Sequence, residues 1–98
     1  MSYLDLVVMH NIETNVFEYE GDVRPERRAD LIMEFIRTQI GAGADPTPAN
    51  EVDVYKITLR WYPDGDRFAT SHNCGNLGLR DGILLEAARR LRKEHPNG

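Results

Sequence analysis

The sequence predicts an α+β fold in which a four-stranded antiparallel sheet carries two helices packed on one face, in the order ββαββα. Two observations lead to this prediction. Alternating apolar and polar residues mark four short strands, and two longer segments have apolar residues at helical spacing. The elements come as a hairpin followed by a helix, twice, which favours one sheet with both helices on the same side. The other side of the sheet is then open to a partner.

The clearest strand signal lies within residues 52–72. Over residues 55–61, apolar and aromatic side chains alternate strictly with polar ones, which is typical of a half-buried strand. The sequence Pro63-Asp64-Gly65 predicts a turn. Residues 67–72 then return as the partner strand, so this stretch forms a hairpin.

Two registers are open to this hairpin. A three-residue loop with a left-handed Gly65 pairs Arg60 with Phe68, whereas a four-residue loop sets Phe68 beside Trp61. A slip of one residue moves every side chain of the returning strand to the other face. We favour the three-residue loop, because glycine falls where a left-handed residue is needed. This register predicts that Phe68 lies on the open face together with Tyr62.

The other elements follow from local signals. Strands are predicted over residues 3–9 and 16–20, and helices over residues 25–40 and 79–95. The first strand is apolar on both faces, as expected at the centre of a sheet. Pro25 suits the first turn of a helix, where its missing N–H costs nothing. Gly82 is a weak helix former, so the second helix has an alternative start at Asp81.

Length and composition indicate a single domain over residues 1–98. A first hairpin–helix half covers residues 1–43, a loop covers residues 44–51, and a second hairpin–helix half covers residues 52–98. The hydrophobic content of 41% and the charged content of 29% are ordinary for a globular protein and argue against disorder.

Charge and cysteine usage exclude several classes of protein. The net charge of −4 weighs against a nucleic-acid or membrane-surface partner, since both attract basic proteins. No apolar run approaches the roughly 20 residues that cross a bilayer. The single cysteine, Cys74, excludes an internal disulfide and a cysteine-rich zinc site, and the three histidines have no metal spacing. We expect a cytoplasmic protein without a cofactor or metal.

The most suggestive cluster of reactive side chains lies in the loop before the second helix. The residues of interest there are His72, Asn73, Cys74, Gly75 and Asn76. A helix N-terminus lowers the pKa of a thiol and attracts anions, and His72 is a candidate base for Cys74. Loops rich in Asn and Gly mostly serve turn geometry. A thiol-dependent enzyme and a small-anion site therefore remain alternatives to a structural loop.

Basic residues of the second helix suggest another alternative, nucleic-acid binding. The basic run from Arg89 to Lys93 is joined by Arg27 and Arg28 on the first helix, and Arg89, Arg92 and Lys93 fall on the face of the second helix away from its apolar stripe. A charged outer face is also the normal state of an amphipathic helix. Together with the acidic net charge, this makes nucleic acid the weaker expectation.

The sequence favours a small, non-enzymatic protein-interaction or regulatory domain. We expect its partner to be a protein, either a different one or a second copy in a homodimer, bound to the open sheet face. Arg60, Tyr62 and Phe68 are the predicted partner-binding residues, because aromatic side chains and arginine are enriched at interface hot spots.

Overall fold

The computed structural model describes residues 2–38, 52–65 and 67–96. The elements are β1 (Leu4–Asn11), β2 (Phe17–Gly21), α1 (Pro25–Thr38), β3 (Val54–Tyr62), β4 (Arg67–His72) and α2 (Leu77–Glu94). The predicted ββαββα order is confirmed. The predicted loop at residues 44–51 lies outside the described residues.

The four strands form one antiparallel sheet in the order β2-β1-β3-β4. The two apolar faces of β1 predicted its central position, between β2 and β3. In the central pair, Leu6 lies opposite Leu59 and Val8 lies opposite Ile57. All four side chains are fully enclosed. They form the floor of the hydrophobic core.

Both helices cover this floor. The buried residues of α1 are Ala29, Ile32 and Phe35, and the apolar buried residues of α2 are Ile83, Leu84, Ala87, Ala88 and Leu91. They belong to the same core cluster as the floor of the sheet. The helix α2 begins earlier than predicted, because the Asn76 side chain accepts a hydrogen bond from the Leu79 N–H at 2.8 Å and caps the first turn.

The predicted register of the β3–β4 hairpin is wrong, because the loop has four residues. Phe68 lies opposite Trp61. Gly65 does not adopt a positive φ. Its N–H donates instead to the Tyr62 carbonyl oxygen at 3.2 Å, so Gly65 is the last residue of a β-turn rather than a left-handed bulge.

The physical reason for this register is the burial of Phe68 on the helix side of the sheet. Its ring meets the Phe35 ring of α1 edge-on at 5.4 Å and stacks beside Trp61 at 6.5 Å. Aromatic pairs at these separations contribute about 0.5–1.5 kcal/mol beyond the burial of their area. Packing against α1 therefore outweighs the local preference of glycine for a left-handed conformation.

Candidate functional site

The face of the sheet opposite the helices, which we call the open face, is not covered by any described element. Strand alternation and the observed register assign its side chains. They are Glu18 and Glu20 of β2, Asp5, Val7, Met9 and Asn11 of β1, Val54, Lys56, Thr58, Arg60 and Tyr62 of β3, and Arg67, Ala69 and Ser71 of β4. The β2 edge is acidic, whereas the β3–β4 half carries the basic and aromatic side chains.

One end of the open face holds two tyrosines and two arginines in mutual contact. This tyrosine–arginine cluster consists of Tyr3, Arg60, Tyr62 and Arg67. The guanidinium carbon of Arg60 lies 4.0 Å from the centre of the Tyr3 ring, and that of Arg67 lies 4.6 Å from the centre of the Tyr62 ring. The two rings are 5.8 Å apart. Cation–π contacts of this kind hold the four side chains in one arrangement.

Asp5 fixes the position of Arg60. The Nε and Nη2 atoms of Arg60 donate to the two carboxylate oxygens of Asp5 at 2.8 and 3.1 Å. The two residues lie opposite each other on β1 and β3. The hydrogen bonds from Arg60 lower the pKa of Asp5 below its ordinary value. A bidentate pair of this kind is strong and directional, so the cluster is held in place before any partner binds.

The structure brings together two of the three predicted partner-binding residues. Arg60 and Tyr62 share the open face. Phe68 lies on the helix side, so its prediction as a partner-binding residue of the open face is wrong. The sequence analysis missed Tyr3 and Asp5 as members of this surface. Tyr3 directly precedes β1 and Asp5 lies on it, and the alternation places both on one face. Their contact with Arg60 depends on pairing between strands far apart in the chain.

A shallow depression of about 270 Å³ adjoins the cluster on the open face. It is lined by Thr58, Arg60, Tyr62, Ala69, Thr70 and Ser71. Small side chains on β4 leave this space beside the larger ones of β3. The depression gives the open face relief into which a protruding side chain can fit.

The loop before α2 is organised by its own side chains. Asn73 Oδ1 accepts from the Lys56 backbone N–H at 2.8 Å, and Asn73 Nδ2 donates to the Val54 carbonyl oxygen at 3.1 Å. Asn73 thereby extends the pairing along β3. Asn76 is engaged as the cap of α2, and Gly75 adopts a φ of +86°. The polar groups considered for an anion site thus have structural partners.

Cys74 is fully enclosed in the core. Burial raises the pKa of its thiol to about 11, whereas a nucleophilic cysteine needs a depressed pKa. His72 lies close by, but its Nδ1 accepts a hydrogen bond from the Cys74 backbone N–H at 3.1 Å. One of its two ring nitrogens is therefore engaged by the main chain, and the burial of Cys74 favours a structural role for both residues.

Arg80, in the first turn of α2, is buried with 2% exposure and was missed by the sequence analysis. Its guanidinium carbon lies 4.9 Å from the centre of the Phe35 ring, and its Nε donates to Asp81 Oδ1 at 2.9 Å. Its Nη2 lies 2.9 Å from the same oxygen but is not oriented for a hydrogen bond. Helical spacing does place Arg80 in line with Ile83 on the apolar stripe, and that spacing was the available signal.

The arginines of α2 are engaged by carboxylates. Hydrogen bonds from Arg89 and then Arg90 lower the pKa of Glu86 to about 2. Arg92 lies 3.8 Å from a carboxylate oxygen on α1. Of the three residues predicted on the outer face of α2, only Lys93 makes no ion pair among the described residues. This arrangement weakens the case for a phosphate-binding face on α2.

Within the described ranges, no group of three or more His, Cys, Asp or Glu side chains is arranged to hold a metal ion. Neither α1 nor α2 contains an apolar stretch of the length that crosses a bilayer, in the part of the chain that the structure describes. Comparison of the chain with known proteins found no matching family model, no matching curated protein and no matching solved structure.

Proposed function

We propose that this protein is a non-enzymatic protein-interaction domain, that the open face is its binding surface, and that the partner is a second copy of the chain. The observation that supports this proposal is the uneven charge of the open face. Glu18 and Glu20 lie at the β2 edge, whereas Lys56 and Arg67 lie in the β3–β4 half. A surface divided in this way is complementary to itself.

The strand order selects one two-fold arrangement. Neighbouring strands lie about 4.8 Å apart, so β2 and β4 are separated by about 14 Å at opposite edges of the sheet. With a two-fold axis parallel to the strands, β2 of one copy faces β4 of the other and positions along the strands are kept. Glu18 of one copy then comes level with Lys56 of the other, because both lie opposite Met9 of β1. With the axis across the strands, β2 faces β2 and like charges repel. We therefore propose the parallel axis.

The tyrosine–arginine cluster supplies the anchors of the proposed interface. In the arrangement with the parallel axis, β1 of one copy faces β3 of the other, which brings Tyr3 towards Tyr62 of the second copy. Tyrosine and arginine are the residue types that most often dominate binding energy. Because Asp5 already holds Arg60, little side-chain entropy is lost when the interface forms.

Sedimentation equilibrium tests the proposal directly. The wild type should show a concentration-dependent dimer that weakens as salt is added. In each of the double variants Glu18→Lys/Glu20→Lys and Lys56→Glu/Arg67→Glu, the charges that face each other across the proposed interface have the same sign. Both variants should therefore be monomeric. An equimolar mixture of the two variants should form a heterodimer, since each reversed half now faces a complementary one.

The control Glu13→Lys/Glu94→Lys changes the net charge by the same amount as Glu18→Lys/Glu20→Lys, but at exposed positions outside the open face. It should leave the dimer intact. A wild type that stays monomeric up to about 1 mM would reject the second copy as partner. Steep, salt-sensitive binding of nucleic acid to the wild type would instead favour the alternative of nucleic-acid binding through the helix arginines.

Cytoplasmic residence forms part of the same proposal. Cys74 is the only cysteine of the chain, and its thiol is enclosed in the core. The fold therefore does not depend on the oxidising conditions in which disulfides form.

A further inference from the structure

A groove of about 660 Å³ opens on the helix side of the sheet, at the end where β1 begins and β3 ends. Leu4 and Trp61, which lie opposite each other on these strands, line it from the sheet. Side chains of α1 line it from the other side. The volume falls within the range of about 300–1,000 Å³ that is usual for sites of small organic ligands.

The apolar part of the lining is continuous with the core but not fully enclosed. It consists of Leu4, Val23, Leu31, Met33 and Trp61. All except Val23 keep part of their surface in contact with solvent. When an apolar part of a ligand covers these side chains, the apolar surfaces of the ligand and of the lining are both removed from water. This burial favours binding. The lining thus favours a ligand with an apolar body.

Charged side chains complete the lining, and four of them neutralise one another in pairs. Arg37 forms an ion pair with Glu34 on the surface of α1. Arg92 of α2 lies 3.8 Å from Asp30. These pairs leave no net charge at their end of the groove.

The remaining charges are unequal. Arg24 and Arg27 line the groove and make no ion pair within the described residues, and the same holds for Asp22. Two guanidinium groups thus stand against one carboxylate. Both arginines flank the N-terminus of α1, where the helix dipole adds further positive potential. This end of the groove is suited to an anionic group.

Trp61 is the aromatic side chain of the groove lining. Its Nε1 atom is enclosed and has no hydrogen-bond partner within the described residues, although the indole lines the groove. A buried donor without an acceptor costs free energy. Because that atom is shielded from solvent, a ligand in the groove would contact the indole through its exposed ring atoms.

We propose that this groove binds a small organic acid with an apolar body and a single carboxylate. Arg24 and Arg27 hold the carboxylate, and Trp61 and Leu31 cover the body. The site lies on the opposite side of the sheet from the proposed dimer interface, and its existence does not depend on that interface.

Trp61 is the only tryptophan, so its indole N–H signal in NMR spectra reports on the groove without interference. The first probe is 4-phenylbutyrate, and its matched control is 4-phenylbutyramide, which has the same body without the charge. The acid should shift the indole signal saturably. The amide should bind about tenfold more weakly or worse, because a charge-assisted hydrogen bond is lost.

Variants assign the roles of the lining. In Arg24→Gln/Arg27→Gln, affinity for the acid should fall to that of the amide, while affinity for the amide stays unchanged. Leu31→Ala should weaken acid and amide alike. Arg89→Gln removes an exposed arginine outside the groove and should alter neither affinity. Retained dispersion of the backbone amide signals verifies that each variant is folded.

Three results would overturn the proposal. Equal affinities for acid and amide, or full acid affinity in Arg24→Gln/Arg27→Gln, would remove the two arginines from the site. The absence of a saturable shift with phenylbutyrate, benzoate and octanoate, each tested to about 1 mM or above, would remove the organic acid itself.

Discussion

Two glycines show how differently one added methyl group acts in this protein. Gly21 has a φ of +116°, and a Cβ atom there would lie 2.1 Å from the Asp5 carbonyl oxygen. Gly21→Ala should therefore lower the free energy of unfolding by about 2–4 kcal/mol. Gly82 lies inside α2 with nothing within 4 Å of an added Cβ, so Gly82→Ala should stabilise by about 1 kcal/mol. Urea unfolding measures both, and equal effects would contradict the described approach of β2 to β1.

The enclosed thiol of Cys74 predicts slow chemistry and a particular pH dependence. Iodoacetamide should alkylate the folded protein only as fast as the core opens.

The unfolded thiol of Cys74 ionises near its ordinary pKa of 9.0, whereas burial raises the pKa of the folded thiol to about 11. The contribution of the Cys74 thiol to the free energy of unfolding is therefore fully present below pH 9.0 and is lost as the pH rises towards 11. Cys74→Ala should remove this part of the alkaline loss, and rapid alkylation of the native protein at neutral pH would refute the burial argument.

The Asp5–Arg60 pair should act at the acid end of the pH range. Hydrogen bonds from Arg60 lower the folded pKa of Asp5 below its ordinary value of 3.8. The stability it provides is thus present above that pH and is lost as the pH falls through the lower, folded pKa. Asp5→Asn should cost about 1 kcal/mol at neutral pH and nothing in strong acid. Glu13→Gln, in a turn and without an ion pair among the described residues, is the control, and an Asp5→Asn cost that does not change with pH would exclude the ion pair as its cause.

At the scale of elements, the β3–β4 hairpin yields the most direct stability test. Phe68→Ala should cost about 2–3 kcal/mol, because its half-buried ring packs on Phe35 and Trp61. A double-mutant cycle with Trp61→Ala should give a coupling of about 0.5–1.5 kcal/mol. Tyr62→Ala, on the open face of the same hairpin, should cost less. A negligible cost for Phe68→Ala would restore the three-residue loop.

The strands and helices were predictable because their periodicity is strong and local. Alternation along β3 is sufficient by itself to place Ile57 and Leu59 on the buried face, and both are fully enclosed. The start of α2 was also encoded locally, by Asn76 as its cap, but Gly82 obscured it. The register at Phe68 was not predictable in the same way, because turn chemistry and burial disagreed and the deciding contact comes from α1.

The candidate site was predictable only in part, for a related reason. Arg60 and Tyr62 share a face by simple alternation, which a single strand reveals. Asp5 and Tyr3 join them only through the β1–β3 register, which no local pattern specifies. The groove is formed by β1, β3, α1 and the residues that lead into α1, so no local pattern reveals that Arg24 and Arg27 share it or that they lack an ion pair within the described residues.

For the molecule as a whole, the two proposed surfaces lie on opposite sides of one sheet, and this separation is itself testable. Arg24→Gln/Arg27→Gln should leave the dimer constant unchanged in sedimentation experiments. Glu18→Lys/Glu20→Lys should leave the binding of phenylbutyrate unchanged in NMR titrations. A variant that abolishes both dimerisation and phenylbutyrate binding would indicate that the protein no longer folds, rather than that one binding surface was altered.

The central pairing of β1 with β3 also has a consequence for the order in which the chain folds. Each outer hairpin joins near neighbours, but the central pair joins residues roughly 40–60 positions apart, from Asn11 with Val54 to Leu4 with Trp61. Closing this long loop costs entropy before its contacts form. Doubling the length of segment 39–51 with Gly and Ser lengthens the connection between Asn11 and Val54 by about 30%, so refolding should slow by a factor of about 1.5, which corresponds to about 0.2 kcal/mol. The unfolding rate should not change, because the loop is already closed when the folded protein begins to open.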